Sequence, residues 1–188
     1  NWRDDLRDFK KLGRPRLFFG ISGGCMDSMV NKYTANKRLR SEDAYTPDGR
    51  PDMRPDYPST VYSQILKKLF PDVPVVIGGI EASLRRLSHY DYWQDKVQKS
   101  ILCDSGADLL IYGMGEKPLA DLVKNMKSLL TTEEPVLTSS KFRTIIGSVP
   151  QTAYLCRATE WTSAEDDLQL YSHEECLADK KKQASNFR

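Results

Sequence analysis

Several sequence features that commonly point to a protein's function are missing from this chain of 188 residues. None of its cysteines has a neighbour at the CxxC or CxxxCxxC spacing that holds zinc or an iron–sulfur cluster. No loop matches GxGxxG, the dinucleotide pattern, or GxxxxGKS and GxxxxGKT, the nucleoside triphosphate patterns. The chain therefore carries no cluster motif of its own, and the binding of a nicotinamide cofactor or a nucleoside triphosphate is disfavoured.

The chain also lacks a charge of one sign and a long apolar run. Lysine and arginine number 28 against 26 acidic residues, for a net charge of +2, and both signs are mixed along the chain. This balance argues against binding to nucleic acid or to an anionic membrane surface, and no apolar run reaches the length of a membrane span. The chain starts with neither a signal peptide nor methionine, so we expect a cytoplasmic piece of a longer protein, with reduced thiols.

What the sequence does contain is three short apolar runs, each of which ends in glycines before a helical pattern. The runs cover residues 17–21, 74–77 and 108–112, and the loops after them contain Ser22-Gly23-Gly24, Gly78-Gly79 and Gly113-Met114-Gly115. Helical patterns between successive strands make parallel, right-handed crossovers the default. The sequence therefore predicts an α/β fold with a mainly parallel sheet and all three glycine loops at one edge.

Ligands of open α/β sheets bind at this edge, so its residues form the candidate cofactor-binding site. Glycine lets the backbone turn with positive φ and leaves room for a flat or phosphorylated group. Backbone N–H groups at helix starts favour anions, whereas glutamate accepts hydrogen bonds from ribose or amide groups. The alternative is that these glycines form only tight connections. The predicted residues are Ser22, Gly23, Gly24, Gly78, Gly79, Glu81, Ser83, Gly113, Gly115 and Glu116.

Other residues allow both a functional and a structural interpretation. Arg85 and Arg86 suit a phosphate or carboxylate, but exposed arginines are common on helices. Cys25 follows two glycines near a helix start and would react as a thiolate if its pKa were lowered. His89 suits a metal or cobalt ion, although a histidine beside aromatic residues usually packs through hydrogen bonds. The aromatic residues within 87–93 either stack on a cofactor ring or anchor a loop.

The remaining segments predict further elements. Residues 2–12 and about 93–102 have helical spacing, and four prolines between residues 36 and 59 indicate either an ordered flap over the strand ends or a disordered loop. Arg143–Gly147 and Thr152–Cys156 suggest an antiparallel edge hairpin or a pair of edge strands. We expect residues 1–157 to form the α/β domain. Residues 158–188, with a helix over 174–183, would be a linker or docking arm.

Two long strings resemble one family in detail. LFFGISGGCMDSMVNKYTANKRLRSEDAYTPDGRPDMRPD and VPVVIGGIEASLRRLSHYDYWQDKVQKSILCDSGADLLIYGMGEKPL cover about half of the chain and resemble the N-terminal region of the YgiQ family of radical S-adenosylmethionine proteins. The resemblance implies a flavodoxin-like three-layer sandwich, similar to the cobalamin-binding domains of other radical enzymes. It also implies that a radical domain of the same parent chain binds a [4Fe-4S] cluster and S-adenosylmethionine through CxxxCxxC.

The chain departs from that pattern in three ways. It has no CxxxCxxC, so this fragment should be inactive alone and is expected to hold neither cluster nor S-adenosylmethionine. It has no DxHxxG, the motif through which many cobalamin domains bind cobalt, so cobalamin binding is in doubt. The first strand and helix of the fold are also missing by comparison, which predicts an exposed sheet edge or hydrophobic face and dimerisation through it. The resemblance implies an accessory domain that binds or covers a cofactor or substrate, or else a docking module with no ligand.

Overall fold

The computed structural model describes residues 2–131 and 136–187, and a mainly parallel sheet lies at its centre. The strands are β1 Phe19–Ser22, β2 Val75–Gly78, β3 His89–Asp91, β4 Lys96–Gln98, β5 Leu109–Ile111 and β6 Thr152–Ala153. In the sheet β1 pairs with β2 and β2 with β5 in parallel, and β6 adds an antiparallel strand to β5. A separate antiparallel hairpin joins β3 to β4.

Helices cover both faces of the sheet. The α-helices are α1 Arg7–Lys10, α2 Ser28–Lys32, α3 Pro58–Leu69, α4 Gly79–Leu84, α5 Ile101–Ser105, α6 Glu116–Ser128, α7 Ser139–Phe142, α8 His173–Ala178 and α9 Lys180–Ser185. Short 3-10 turns occur at Pro47–Gly49, Ile146–Ser148 and Ala158–Glu160. The predicted α/β class, with parallel strands and crossover helices, is confirmed.

Alternation along the strands divides the core into two halves. Val75, Ile77 and Leu110 point to one face, where they pack with residues of α3 and α5. Val76 and Leu109 point to the other face, where they pack with residues of α6 and α7. Both halves are buried because successive side chains of a strand point to opposite faces. The continuous apolar runs in the sequence are therefore the middle layer of a three-layer sandwich.

The predicted hairpin at residues 143–156 is wrong. Arg143–Gly147 forms no strand, and of the second segment only Thr152–Ala153 pairs, with β5. Phe142 and Ile146 are buried against the sheet. Their spacing of four residues is helical, and the Thr138 hydroxyl accepts from the backbone N–H of Lys141 to start α7. The β-branched residues of this segment favour a strand, and the prediction followed them. In the structure, burial of the side chains at helical spacing outweighs that preference.

The helix predicted over about 93–102 is also wrong, because this segment contains the turn and second strand of the β3–β4 hairpin. The Asp91 carboxylate accepts from the backbone N–H of Gln94 at 2.9 Å, and Asp95 adopts a positive φ of 53°. Both features close a tight turn rather than start a helix. Only the last residues of the predicted span belong to a helix, α5.

The two terminal helices are shorter than predicted. Of residues 2–12 only Arg7–Lys10 is helical, after Leu6 in the left-handed region at φ 55°. The tail forms α8 and α9 instead of one helix, because Asp179 is extended and its carboxylate caps the N–H of Lys181 at 2.8 Å.

Candidate functional site

The three glycine loops meet at the carboxyl edge of the sheet. Ser22 and Gly78 are neighbours in the register of β1 and β2. A Cβ on Gly79 would lie 2.6 Å from the Ser22 hydroxyl, so the first two loops touch. The Ser83 hydroxyl donates to Gly79 O at 2.7 Å and accepts from Gly113 N–H at 3.2 Å, which joins the second loop to the third. The prediction that the loops gather at one edge is confirmed.

Residues 36–59 form an ordered flap over the first loop. A Cβ on Gly24, at φ +99°, would lie 2.6 Å from the ring of Tyr45. The flap is held by the buried Asp43, which accepts from Asn31 Nδ2 at 2.7 Å and pairs with Arg54 Nε at 2.9 Å. Burial alone would raise the pKa of Asp43, but hydrogen bonds, above all from Arg54, hold that pKa below its ordinary value. The structure thus supports the flap over disorder.

Glu81 differs from the sequence-based expectation. Its side chain is fully buried, and its two carboxylate oxygens accept from the backbone N–H groups of Ser59 at 3.0 Å and Ser28 at 3.3 Å. It also lies 3.2 Å from the position of a Cβ on Gly23. The carboxylate therefore binds the starts of α2 and α3, and hydrogen bonds within the chain already use both of its oxygens.

One open space remains at this edge, which we call the first cleft. It has a volume of about 970 Å³ and is bounded by Ser22, Gly23 and Gly24, by the flap and by the N-terminal segment. The other predicted residues do not line it. Gly113 lies against the Gln151 amide, whereas Glu116 is exposed at the start of α6. The structure brings all three loops together. The first loop borders this cleft of about 970 Å³, whereas Glu116, after the third loop, lines a smaller one of about 560 Å³ along α6.

Each glycine loop also exposes a large apolar side chain. Met26 follows β1 and is 42% exposed, Ile80 follows β2 and is 39% exposed, and Met114 follows β5 and is 76% exposed. We call these three residues the apolar edge. Sequence reasoning missed them because an apolar residue beside a glycine resembles core. The available signal was that Met114 lies between two glycines, where no strand or helix continues.

A second cleft, of about 700 Å³, is lined mainly by aromatic and aliphatic side chains. Tyr33 and Trp93 stack there with ring centroids 4.0 Å apart. Tyr90, Tyr92 and His89 come from the hairpin segment, and Phe187 closes the cleft from the C-terminal arm. The aromatic residues within 87–93 thus both anchor a turn and line a cavity.

A buried ion pair between Asp27 and Arg85 lies at this second cleft. Arg85 is therefore committed to a carboxylate of its own chain rather than free for a phosphate. Its pKa is raised, since the Asp27 partner outweighs the lowering effect of burial. Arg86 donates to Ser83 O at 2.7 Å and lies over the ring of Tyr112.

The cysteines and histidines of the described residues do not assemble a metal site. No group of three or more His, Cys, Asp and Glu side chains in residues 2–131 and 136–187 could hold a metal ion. Cys25 is exposed, with its sulfur 3.1 Å from the Tyr45 hydroxyl. Neither histidine lines the first cleft, so that cleft offers no histidine to cobalt and does not fit a cobalamin held in that way.

The family model described as "Radical SAM N-terminal" matches residues 1–188. A UPF0313 protein of Bacteroides thetaiotaomicron is 82% identical over the whole chain, which covers 30% of that relative. A UPF0313 protein of Porphyromonas gingivalis is 65% identical over the whole chain, which covers 28% of it. One from Thermotoga neapolitana is 56% identical over 66% of the chain, which is 22% of that relative.

The chain thus spans less than a third of the length of these curated relatives. No solved structure matches it. Throughout the described residues, every helix falls short of the length and apolarity needed to cross a lipid bilayer.

Proposed function

This chain belongs to the radical SAM N-terminal family, and we propose that it is the accessory domain that covers a ligand of the catalytic part of a longer radical SAM protein. The observation that carries the proposal is the carboxyl edge of the sheet. There three glycine loops converge beside a cleft of about 970 Å³, and each loop exposes one apolar side chain.

The apolar edge supports docking on the catalytic part. Fully burying a methionine or isoleucine side chain contributes about 1.5–3 kcal/mol, so covering the exposed part of each of these three at an interface would contribute a corresponding fraction, largest for Met114. Methionine also adapts its shape to irregular partners. The relatives contain more than twice as much additional chain as they share with this domain, so the same polypeptide offers a partner for this surface.

The first cleft supports the ligand part of the proposal. Its floor is the backbone of Gly23 and Gly24, its walls carry both charged and aromatic side chains, and its volume suits a cofactor or a drug-sized substrate. A partner packed on the neighbouring apolar edge would cover such a ligand from the open side. The [4Fe-4S] cluster and S-adenosylmethionine would belong to that partner, since this chain has no CxxxCxxC.

The test compares hydrogen exchange in the 188-residue chain and in the full-length parent protein. We expect the amides near Met114 and Ile80 to be protected in the parent and to lose this protection when Met114 is changed to glutamate. Leu12→Glu is the matched control, because Leu12 is 91% exposed but belongs to none of the glycine loops and does not line the first cleft. Equal exchange in the fragment and the parent would contradict docking through the apolar edge.

Ligand binding is tested separately, because a docking module without a ligand is the rival function. S-adenosylmethionine and hydroxocobalamin are titrated onto the anaerobically reconstituted parent and onto its Gly24→Ala variant. Tighter binding to the parent than to the variant supports a ligand in the first cleft. Binding of neither compound, together with protection of the apolar edge, supports docking alone. Circular dichroism accompanies this test, since a side chain at Gly24 would also meet the Tyr45 ring and weaker binding counts only if the variant remains folded.

A further inference from the structure

The second cleft combines aromatic walls with two polar side chains, each of which keeps one atom without a hydrogen-bond partner in the described residues. At about 700 Å³ it lies within the range of small-molecule sites, which are mostly apolar with a few polar groups that orient the ligand. Its rings come from distant parts of the chain: Tyr33 follows α2, Trp93 follows β3, and Phe187 follows α9. Such walls suit a flat ring, because aromatic side chains favour stacked and edge-on contacts with other rings.

The first polar group is the imidazole of His89. Its Nδ1 is 3.0 Å from the backbone carbonyl oxygen of Leu87, so Nδ1 carries the proton and donates it in the neutral ring. Burial keeps the ring neutral by lowering the pKa of His89, and the nearby Arg85 lowers that pKa further. The lone pair of Nε2 then remains as an acceptor. Within residues 2–131 and 136–187, this atom has no hydrogen-bond partner.

The second polar group is the guanidinium of Arg85. Its Nη1 pairs with Asp27 and donates to Glu81 O, whereas its Nε–H is buried and finds no acceptor in the described residues. Buried donors of this kind are rare because each one costs about 1–3 kcal/mol. Because Nε is closed off from solvent, a ligand in the second cleft would meet the guanidinium at Nη2, which makes no hydrogen bond within the described residues.

We infer that the second cleft binds a planar nitrogen heterocycle that presents a hydrogen-bond donor beside an acceptor. The donor would face His89 Nε2, the acceptor would face Arg85, and the ring would lie against the Tyr33 and Trp93 side. This site is distinct from the first cleft, with which it shares no lining residue. The inference goes beyond the proposed function, because it requires neither docking nor a ligand at the glycine loops.

The C-terminal arm gives this site a cover. Gln183 and Phe187 line the second cleft, and the arm is tied to the body by a contact of 2.6 Å between Ser88 Oγ and His173 Nδ1. Phe187 is nevertheless 49% exposed, so its ring can be displaced without unfolding the core. A ligand would therefore enter between the arm and the hairpin.

The test uses 2-aminopurine, a fluorescent planar heterocycle whose emission is quenched by stacking, with adenine as the competitor. We expect quenching by the 188-residue chain, reversal by adenine, and about tenfold weaker binding to His89→Phe, which keeps a ring but loses the acceptor. Leu84→Trp should block binding by filling the cleft, since Leu84 lines it and is 53% exposed. Met53→Ala, in the first cleft, should bind like the parent sequence.

Circular dichroism of each variant separates lost binding from lost folding, and Leu84→Trp still decides the question if His89→Phe does not fold. Absence of quenching at millimolar 2-aminopurine would overturn the inference. Equal binding to the parent sequence, His89→Phe and Leu84→Trp would also overturn it, as would loss of binding in Met53→Ala alone. Failure here would leave docking at the apolar edge untouched, because that experiment reports on other residues.

Discussion

The first and second clefts are built by different means. The first is framed by backbone: glycines at the end of β1, with a flap held in place through the buried carboxylates of Asp43 and Glu81. The second is framed by rings from separate segments, among them Tyr33, Trp93 and Phe187. A cleft framed by backbone depends on satisfied buried polar groups and on permitted φ angles, whereas a cleft framed by rings depends on packed area. Mutations should therefore damage the two clefts to different extents.

Glu81→Ala should have the largest effect, because it removes the acceptor for two buried amides that hold the frame of the first cleft. Each unsatisfied buried amide costs about 1–3 kcal/mol, so we expect a loss of about 4 kcal/mol in the free energy of unfolding, measured by urea denaturation. Glu116→Ala is the matched control at the start of another helix after a strand. Because Glu116 is exposed, it should cost only about 0.5 kcal/mol. Equal losses in both variants would remove the distinction between the two carboxylates.

Gly24→Ala should have the next largest effect. A side chain there is strained at φ +99° and would meet the Tyr45 ring at 2.6 Å, so we expect a loss of about 2–3 kcal/mol. Gly13→Ala shares a positive φ of +68° but meets nothing within 4 Å, so it should cost about 1 kcal/mol through strain alone. Thermal unfolding of the two variants checks this order. If Gly13→Ala were the more destabilising change, contact with the flap would not matter.

Trp93→Leu should destabilise the second cleft by a smaller amount. It removes the stack on Tyr33, worth about 0.5–1.5 kcal/mol, together with some buried area, for a total of about 2 kcal/mol. Trp161→Leu is the control, since Trp161 is 54% exposed on the arm and should change stability by less than about 0.5 kcal/mol. Urea denaturation followed by circular dichroism distinguishes the two. A neutral result for Trp93→Leu would show that the stack contributes nothing.

Lowering the pH should have the smallest effect on the free energy of unfolding, and it should act on groups of the two clefts over different pH ranges. The pKa of His89 is lowered mainly by burial and further by Arg85, against the opposing effects of the Leu87 carbonyl, Asp91 and Asp104, so the folded state resists protonation. Stability should begin to fall below pH 6.5, the ordinary pKa of histidine, and continue to fall as pH approaches the lowered value. For Asp43, hydrogen bonds rather than burial hold the carboxylate pKa below its ordinary value. The stability that these bonds contribute is therefore complete above about pH 4 and is lost below it.

The measurement is the free energy of unfolding between pH 7 and about pH 2, for the parent sequence, His89→Phe and Asp43→Asn. We expect the variant to be flat between pH 6.5 and pH 5, where the parent sequence declines. Asp43→Asn should instead remove a decline below about pH 4. An unchanged slope in His89→Phe would place the acid-sensitive group elsewhere.

Sequence reasoning recovered the strands better than the helices. The apolar runs ending at Ser22, Gly78 and Ile111 are strands because they are buried on both faces, which leaves a continuous signal in the chain. The Arg143–Gly147 strand and the helix over 93–102 were wrong because each depended on a local feature that propensity does not describe. In the first, burial at helical spacing decided the structure. In the second, the Asp91 side chain closed a turn.

The candidate site was predicted only in part, for a related reason. Ser22, Gly23 and Gly24 line the first cleft as a glycine-rich strand end suggests, whereas Glu81, equally polar in the sequence, is fully buried. Which carboxylate turns inward depends on where the starts of α2 and α3 lie, and those are more than 20 residues away in the chain. The ligand-binding role of the ten predicted residues stays a prediction.

The amino-acid sequence by itself determined the α/β class, the parallel order of three strands and the edge where their glycines meet. Each of these follows from short-range alternation, glycine φ freedom and the handedness of crossovers. Only the tertiary structure decided that Tyr45 covers Gly24, that Glu81 binds two distant amides, and that Tyr33, Trp93 and Phe187 form one cleft. Such contacts join residues far apart in the chain, and no local pattern encodes which of several similar side chains will fill a given space.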